Sequence, residues 1–301
     1  MAHIPLAPSL EEEVLPETAA FYRRVLQALS DAGIPFLVGG AFAHACYTGI
    51  RRSTKDLDLF IKREDYERIE AVMHAAGWRT EMTYPHWLAK VYAGEDFIDL
   101  IFNSGNGLTP VDQRWFHQNP EADILGVPVR IANLEDGLLS KAFIMERERY
   151  DGADVAHLIQ ANAERLDWKG LVERFGNHWR VLLAHLSLFG FIYPGERHRV
   201  PAWVMERLIA RMADEIRQPP ASDPRVCAGT LLSREQYLHD VERLGYVDGR
   251  LTPASTMTPE DVATWTEAIP SRQAEPDEAA DEPPRVPVIA AGEISIGRLD
   301  C

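Results

Sequence analysis

Apolar residues in the first half of the chain recur alternately at helical and at strand spacing. Between residues 16 and 32 they share one helical face, whereas residues 56–61 alternate in the manner of a half-buried strand. The same criteria predict helices over residues 16–32, 41–47 and 63–76, and strands over residues 35–38, 56–61, 78–83, 88–93 and 97–102. This order predicts an α+β fold in which helices flank a mixed sheet.

The second half of the chain is mainly helical in pattern. A small hairpin is predicted for residues 124–131, and helices are predicted within residues 133–149, 151–217, 231–244 and 258–269. Beyond residue 270, frequent prolines and acids predict a disordered tail. We therefore divide the chain into a flexible N-terminus (1–15), an α/β domain (16–132), a helical domain (133–269) and a Pro- and acid-rich tail (270–301).

Composition narrows the classes of protein to which the chain can belong. Its 301 residues carry a net charge of -15, with 46% hydrophobic and 26% charged residues, as in soluble globular proteins. This acidity does not suit a large nucleic-acid surface, so no DNA partner is expected. Three scattered cysteines, no signal-peptide pattern and no apolar run of membrane-spanning length lead us to expect a cytoplasmic protein without a membrane partner.

Three aspartates interrupt apolar, strand-like runs. Asp56 and Asp58 are two residues apart and project from one face of a strand, and Asp99 lies in the later run Phe97–Phe102. Unless they are solvated acids of a surface strand, they need partners, because an unpaired buried charge is costly. Magnesium prefers carboxylate oxygens and keeps sites for water and phosphate. We therefore predict that these three residues bind two Mg²⁺ ions and, through them, a nucleoside triphosphate.

A glycine pair, Gly39-Gly40, ends the first of these strands. Without a Cβ, the backbone N–H groups of a strand-to-helix turn can approach phosphate oxygens. The segment before the acidic strand adds the side-chain donors of Arg52, Ser53 and Thr54. We predict that the glycine pair and these side chains bind the nucleotide.

The combination of a glycine pair, a short helix, an Asp-Leu-Asp strand and a later lone aspartate resembles the signature of the DNA polymerase β-like nucleotidyltransferases. The run from Arg52 to Asp58 is most similar to small bacterial members, which include antibiotic nucleotidyltransferases and abortive-infection toxins. The resemblance implies a nucleotidyltransferase fold, three acids on two magnesium ions, and a glycine pair and hydroxyls that hold the β- and γ-phosphates.

Toxin-type members of this family also carry a lysine on a helix and a downstream Arg-Asp-x-x-Asp-like motif. Lys141, Asp151 and Asp154 are similar to this pattern, with Tyr150 where the arginine would stand. The resemblance implies that Lys141 contacts a phosphate or acts as a base. From the residues alone, Lys141 is equally a surface lysine, and the two aspartates are equally caps of the next helix.

We therefore expect a magnesium-dependent nucleotidyltransferase that moves an NMP from an NTP to a hydroxyl and releases pyrophosphate. The helical domain would hold the acceptor, and the sequence leaves open whether this is a small molecule, an RNA end or a protein. One alternative is a catalytically degenerate nucleotide sensor or interaction module, which Ala41 in place of a hydroxyl residue would suit. Another is a toxin-type enzyme acting on tRNA ends through the arginines between Arg174 and Arg217.

Overall fold

The structure, a computed structural model, describes residues 14–52, 54–218 and 225–270. Most of the predicted flexible N-terminus, Ser53 and the predicted disordered tail after residue 270 lie outside the described residues. None of the described helices combines the length and the apolar character needed to cross a lipid bilayer.

The helices of the described chain are α1 (Pro16–Asp31), α2 (Gly40–Thr48), α3 (Tyr66–Ala75), α4 (Leu134–Ala142), α5 (Gly152–Asn162), α6 (Trp168–Phe175), α7 (Trp179–Ile192), α8 (Ala202–Arg217), α9 (Leu238–Glu242) and α10 (Pro259–Glu267). The strands are β1 (Leu37–Val38), β2 (Leu57–Phe60), β3 (Arg79–Tyr84), β4 (Leu88–Ala93), β5 (Asp96–Ile101), β6 (Glu121–Ile124), β7 (Val127–Arg130), β8 (Val226–Cys227) and β9 (Val247–Asp248).

A five-stranded sheet in the order β1-β2-β5-β4-β3 is the frame of the first half. Strands β2 and β5 are parallel, and the other neighbours are antiparallel. The predicted mixed sheet with flanking helices is therefore confirmed. Because β2 and β5 are parallel and in register, Asp58 lies beside Asp99, and Lys90 on β4 lies on the other side of Asp99.

The described residues form two large apolar cores and a smaller one around Leu37, Phe60 and Trp115. The first packs α1 and α3 on the sheet and includes the fully buried side chains of Tyr22, Leu26 and Leu57. The second lies between helices α4 to α8, around residues such as Leu171 and Phe189. The first core ends at residue 131 and the second begins at residue 134, but the domain boundaries proposed from the sequence stay predictions.

The helix predicted for residues 133–149 is wrong in its second half, because α4 ends at Ala142. The next residues form a loop in which Met145 pairs with Tyr150 and the Asp151 N–H donates to the Ile144 carbonyl. The Met145 N–H donates to the carbonyl of Leu232, 3.1 Å away. These tertiary bonds use the backbone groups that a longer helix would have needed.

The helix predicted for residues 231–244 is also wrong, since α9 covers five residues of it. Residues 225–270, termed the C-terminal segment, instead pack against the loop that follows β5. The Asn106 side chain donates to the Leu231 carbonyl at 2.7 Å, and the Thr256 N–H donates to the Gly107 carbonyl at 3.0 Å. Inside the segment, the buried Arg250 guanidinium is paired with Asp248. The segment therefore belongs spatially beside the sheet.

Candidate active site

The three predicted aspartates lie together in the middle of the sheet. Asp58 is beside Asp99 in the β2–β5 pair, and Asp56 directly precedes β2. One carboxylate oxygen from each residue lies within 4.8 Å of the oxygens of the other two. All three line a cavity of about 660 Å³ between the sheet, the helical half and the C-terminal segment. The strand register thus brings together the three acids that the sequence pattern singled out, which we term the acid trio.

The electrostatics of the acid trio favour a bound cation. Burial and the charges of Asp56 and Asp99 raise the pKa of Asp58 to about 7. Burial also raises the pKa of Asp99, although Lys90 opposes this through a hydrogen bond of 2.5 Å. Carboxylates that repel one another in a partly buried site are stabilised by a divalent ion between them. An all-oxygen ligand set of this kind fits Mg²⁺.

The glycine pair lies directly against the acid trio. The Gly39 N–H donates to the Asp58 carbonyl at 2.9 Å, and Gly40, the first residue of α2, has a positive φ of 52°. A Cβ on Gly40 would collide with the Asp58 carboxylate, and one on Gly39 would collide with the ring of Phe60. The first N–H groups of a helix have no acceptor within it, so the start of α2 offers donors beside the acids.

The segment before β2 supplies two different kinds of contact. The Thr54 hydroxyl donates to the Asp56 carboxylate at 2.8 Å and thereby orients it. Arg52 donates two parallel hydrogen bonds, of 2.8 and 2.6 Å, to the carboxylate of Asp154 on α5. Ser53 lies outside the described residues. Both described side chains line the cavity, within reach of a ligand there.

Asp154 holds two cations in place, which sequence reasoning missed. Besides Arg52 it accepts a hydrogen bond of 2.5 Å from the buried Lys141. Burial opposes its ionisation, but the bonds from Arg52 and Lys141 outweigh burial and lower the pKa of Asp154 to about 2. Asp151 is the N-cap residue of α5 and Asp154 lies in its first turn, so both acids are near the positive end of the helix as the capping interpretation expected, although Asp151 makes no side-chain cap hydrogen bond.

Arg149 is a second residue that sequence reasoning missed. Its guanidinium donates to Asp151 at 3.2 and 3.3 Å and lines the cavity. Burial and the neighbouring carboxylates raise the pKa of Asp58, and the positive charge of Arg149 offsets part of that rise. The sequence did contain a signal, because Arg149 stands one position before the Tyr150 that departs from the family pattern.

A second group of possible metal ligands consists of His44, Asp154 and His157. Burial lowers the pKa of His44 to about 4, so its ring is neutral at pH 7. Both oxygens of Asp154 already accept hydrogen bonds from Arg52 and Lys141. A metal ion would have to compete with these cations, so the group does not fit a metal site.

An aromatic wall closes the cavity on the side of the C-terminal segment. It consists of Trp87 from the β3–β4 turn, Trp265 from α10 and Arg234. The two indoles are nearly perpendicular at 5.3 Å, and the Arg234 guanidinium lies 4.2 Å from the ring centre of Trp265. The local sequence pattern held no signal for this wall, because its residues are far apart along the chain.

Comparison with solved structures finds distant similarities. The antibiotic-resistance factor ANT(2'')-Ia is 19% identical over 56% of this chain and 96% of its own, with a TM-score of 0.40. The lincomycin-bound lincosamide antibiotic adenylyltransferase LnuA is 14% identical over 49% and 99%, with a TM-score of 0.36. JHP933 from Helicobacter pylori is 11% identical over 67% and 98%, with a TM-score of 0.30. Similarities this weak support no inference about substrate.

Comparison of the sequence with protein families gives a clearer result than comparison with solved structures. The chain matches no curated protein sequence. Residues 18–188, which are more than half of the 301 residues, match the model of a family described as uncharacterised nucleotidyltransferases. The matched part contains the acid trio, the glycine pair, Lys141 and Asp154. The chain therefore belongs to this nucleotidyltransferase family.

Proposed function

We propose that this nucleotidyltransferase is magnesium-dependent and transfers an NMP from an NTP to a hydroxyl of its acceptor, releasing pyrophosphate. One observation carries the proposal: three carboxylates converge beside a glycine turn that has no room for a Cβ. The Gly39 N–H is bonded to the Asp58 carbonyl, and the first N–H groups of α2, which have no acceptor within the helix, are the donors for phosphate oxygens next to the acids.

Asp56, Asp58 and Asp99 are the residues that would hold two Mg²⁺ ions. When bound, such ions neutralise the charge of the triphosphate and lower the pKa of an attacking hydroxyl. Thr54 fixes the Asp56 carboxylate through its hydrogen bond, so that this ligand is oriented before the metal arrives.

The triphosphate would bind along the glycine pair and the cations around Asp154. Arg52, Lys141 and Arg149 all line the cavity and are held by carboxylates in the structure. Guanidinium and ammonium groups that are fixed in this way need little reordering to donate hydrogen bonds to phosphate oxygens. They would stabilise the negative charge that grows on the leaving pyrophosphate.

The transfer itself exchanges one bond at the α-phosphorus for another. The acceptor oxygen forms a bond to the α-phosphorus, and the bond from that phosphorus to the α,β-bridging oxygen breaks. Pyrophosphate leaves with the electron pair of the broken bond. Asp99 receives the hydroxyl proton, a role that suits a carboxyl whose pKa burial has raised.

The geometry gives less support to the two alternatives. A nucleotide sensor has no need for three converging acids, all of which are retained here. A tRNA groove between residues 174 and 217 would need free cations, but Arg174, Arg180, Arg199 and Arg217 are paired with acids. Among the described residues that line the cavity, no arginine comes from that stretch.

The test is pyrophosphate release with each of the four NTPs, magnesium and a cell extract as the source of acceptor. Asp56→Ala and Asp58→Ala should abolish release and weaken magnesium-dependent NTP binding without unfolding the protein. Asp31→Asn, an exposed acid at the end of α1, is the matched control and should behave like the parent. NTP binding by the parent without any pyrophosphate release would favour the sensor instead.

A further inference from the structure

The aromatic wall belongs to a part of the chain that the family match does not reach. The match ends at residue 188, whereas Arg234 and Trp265 lie in the C-terminal segment. The acid trio thus lies within the family's shared part, and two of the three wall residues lie outside it. Such additions around a shared reaction centre are where substrate choice is made.

Sheet order places the wall on the acceptor side of the acids. The glycine pair follows the edge strand β1, the acid trio lies on β5 and on or directly before β2, and Trp87 precedes β4. A triphosphate held at the glycine pair therefore has the acids on one side of it and the wall beyond them. Trp87 and Asp99 line the same cavity, so an acceptor bound at the wall can direct a hydroxyl toward Asp99.

Hydrogen bonds and ring contacts fix the aromatic wall to the rest of the protein. The C-terminal segment is bonded to the sheet half through Asn106 and Leu231 and to the loop after α4 through Met145 and Leu232. Trp265 also meets Tyr84 edge-on at 4.6 Å. The segment therefore ties both halves of the protein together along the rim of the cavity.

The charged side chains at the aromatic wall do not suit a polycationic acceptor. Among the described cavity residues contributed by the C-terminal segment and by Trp87 to Thr109, Asp99 belongs to the acid trio and Arg234 is the one other charged side chain. A polycationic acceptor needs several carboxylates to balance its ammonium groups. Glu146, which lines the cavity from the loop after α4, balances the charge of Arg234. A wall without surplus carboxylates suits an acceptor that carries no net positive charge.

The flat guanidinium of Arg234 gives the second clue to the acceptor. One of its faces covers the indole of Trp265, and its side chain keeps 23% of its surface exposed at the cavity rim. A guanidinium fixed on an indole presents a second flat face on which a planar ring can stack. A carboxylate oxygen of Glu146 lies 3.9 Å from Arg234 Nε and forms an ion pair with it.

We propose that the wall is the acceptor site and that the acceptor is a small molecule whose flat ring, uncharged or anionic, stacks on Arg234. This inference rests on the proposed function, because it takes the acid trio to be the reaction centre. The ring would be held over the pair of Arg234 and Trp265, with its hydroxyl directed toward Asp99.

Calorimetric titration with adenosine, a neutral planar-ring probe, tests the proposal directly and does not depend on catalysis. The full chain is first saturated with magnesium and an α,β-methylene analogue of ATP, which occupies the nucleotide site. The parent should bind adenosine at least about tenfold more tightly than it binds tobramycin, a polycation with several hydroxyls. Arg234→Met should weaken adenosine binding about tenfold, since a stacking contact contributes about 1–3 kcal/mol.

Two further variants separate stacking from charge and from general damage. Arg234→Lys keeps the charge without the flat fork and should lose adenosine binding as Arg234→Met does. Arg243→Met, at an exposed arginine of the same segment, should leave it unchanged. Binding of the ATP analogue should be equal in all four proteins, which shows that the fold and the nucleotide site are intact.

Three results would overturn the proposal. The first is binding of tobramycin that is as tight as that of adenosine or tighter. The second is adenosine binding that stays the same in Arg234→Met. The third is binding of a short single-stranded RNA that is far tighter than that of adenosine and depends steeply on salt. Failure of the proposed function looks different, because no pyrophosphate is then released from any NTP while the adenosine titration still reports on the wall.

Discussion

The carboxylate of Asp58 occupies the space that a Cβ on Gly40 would need. Gly40 also has a φ of 52°, a conformation that residues with a Cβ rarely adopt. Steric fit and backbone conformation thus require glycine at the same position, directly beside the predicted metal ligands.

Gly40→Ala should therefore abolish pyrophosphate release, because the added methyl group displaces Asp58. The strained backbone should also lower the free energy of unfolding by about 1–3 kcal/mol, measured by urea denaturation. Gly49→Ala is the control, since its φ is also positive, at 72°, but no described residue beyond its chain neighbours and its own helix lies within 4 Å of the place that its Cβ would take. That variant should lose stability and keep activity; equal activity of both variants would contradict the steric argument.

Asp58 should make the metal-free protein less stable as the pH rises. Its pKa of about 7 lies above the ordinary 3.8, so the folded state binds this proton more tightly than the unfolded state. The free energy of unfolding that this proton contributes is fully present below pH 3.8 and is lost as the pH rises from 3.8 to about 7. Asp58→Asn should remove this loss and exceed the parent in free energy of unfolding at pH 8 by roughly 1–4 kcal/mol.

The measurement is urea denaturation at pH 5 and pH 8 in the presence of a chelator. Added magnesium at pH 8 should stabilise the parent and have little effect on Asp58→Asn, because the ion replaces the missing proton between the carboxylates. A difference between parent and variant that is the same at both pH values would show that Asp58 does not titrate in this way.

Lys141 and Arg52 share Asp154 but should contribute differently to stability. The Lys141 side chain is 11% exposed and the Arg52 side chain is 48% exposed. Lys141→Met removes the buried cation that Asp151 and Asp154 share and leaves them only Arg149 and Arg52, which should cost about 1–3 kcal/mol of unfolding free energy. Arg52→Met leaves Lys141 in place and should cost less, while both variants weaken NTP binding. Equal losses of stability would mean that Arg52 is as structural as Lys141.

Lys90 should set the magnesium requirement through its bond to Asp99. Lys90→Met frees the Asp99 oxygen that the ammonium group now holds at 2.5 Å, so magnesium no longer competes for it. The magnesium concentration for half-maximal pyrophosphate release should fall by about tenfold, which corresponds to about 1.4 kcal/mol. Lys62→Met is the control, because Lys62 is as exposed as Lys90 but is paired with Glu64. An increased magnesium requirement in Lys90→Met would contradict this role.

The parts of the fold that the sequence predicted are those governed by local pattern. Period-two alternation identified β2, a short apolar run identified β5, and an apolar stripe identified α1, which ends at Asp31 before Gly33. The helix predicted for residues 258–269 likewise matches α10, whose start the structure caps with Thr258 and Asp261. In these segments the local preference and the tertiary environment agree, so the pattern was sufficient.

The parts that were missed depend on contacts between distant residues. Residues 143–149 have helix-forming side chains, yet the bond from Met145 to Leu232 draws them into a loop. The role of Asp154 depends on Arg52, which lies 102 positions earlier in the chain. The aromatic wall requires Trp87 and Trp265 to meet across the sheet edge. No window of neighbouring residues contains this information.

The bond from the Gly39 N–H to the Asp58 carbonyl has a mechanical consequence. Because this bond joins the glycine pair to β2, the predicted phosphate-binding turn moves together with the aspartates of that strand. Lys141 and Arg149, by contrast, come from the helical half. The bonds from Arg52 to Asp154 and the contacts of the C-terminal segment with both halves therefore set how close these two cations stand to the acids.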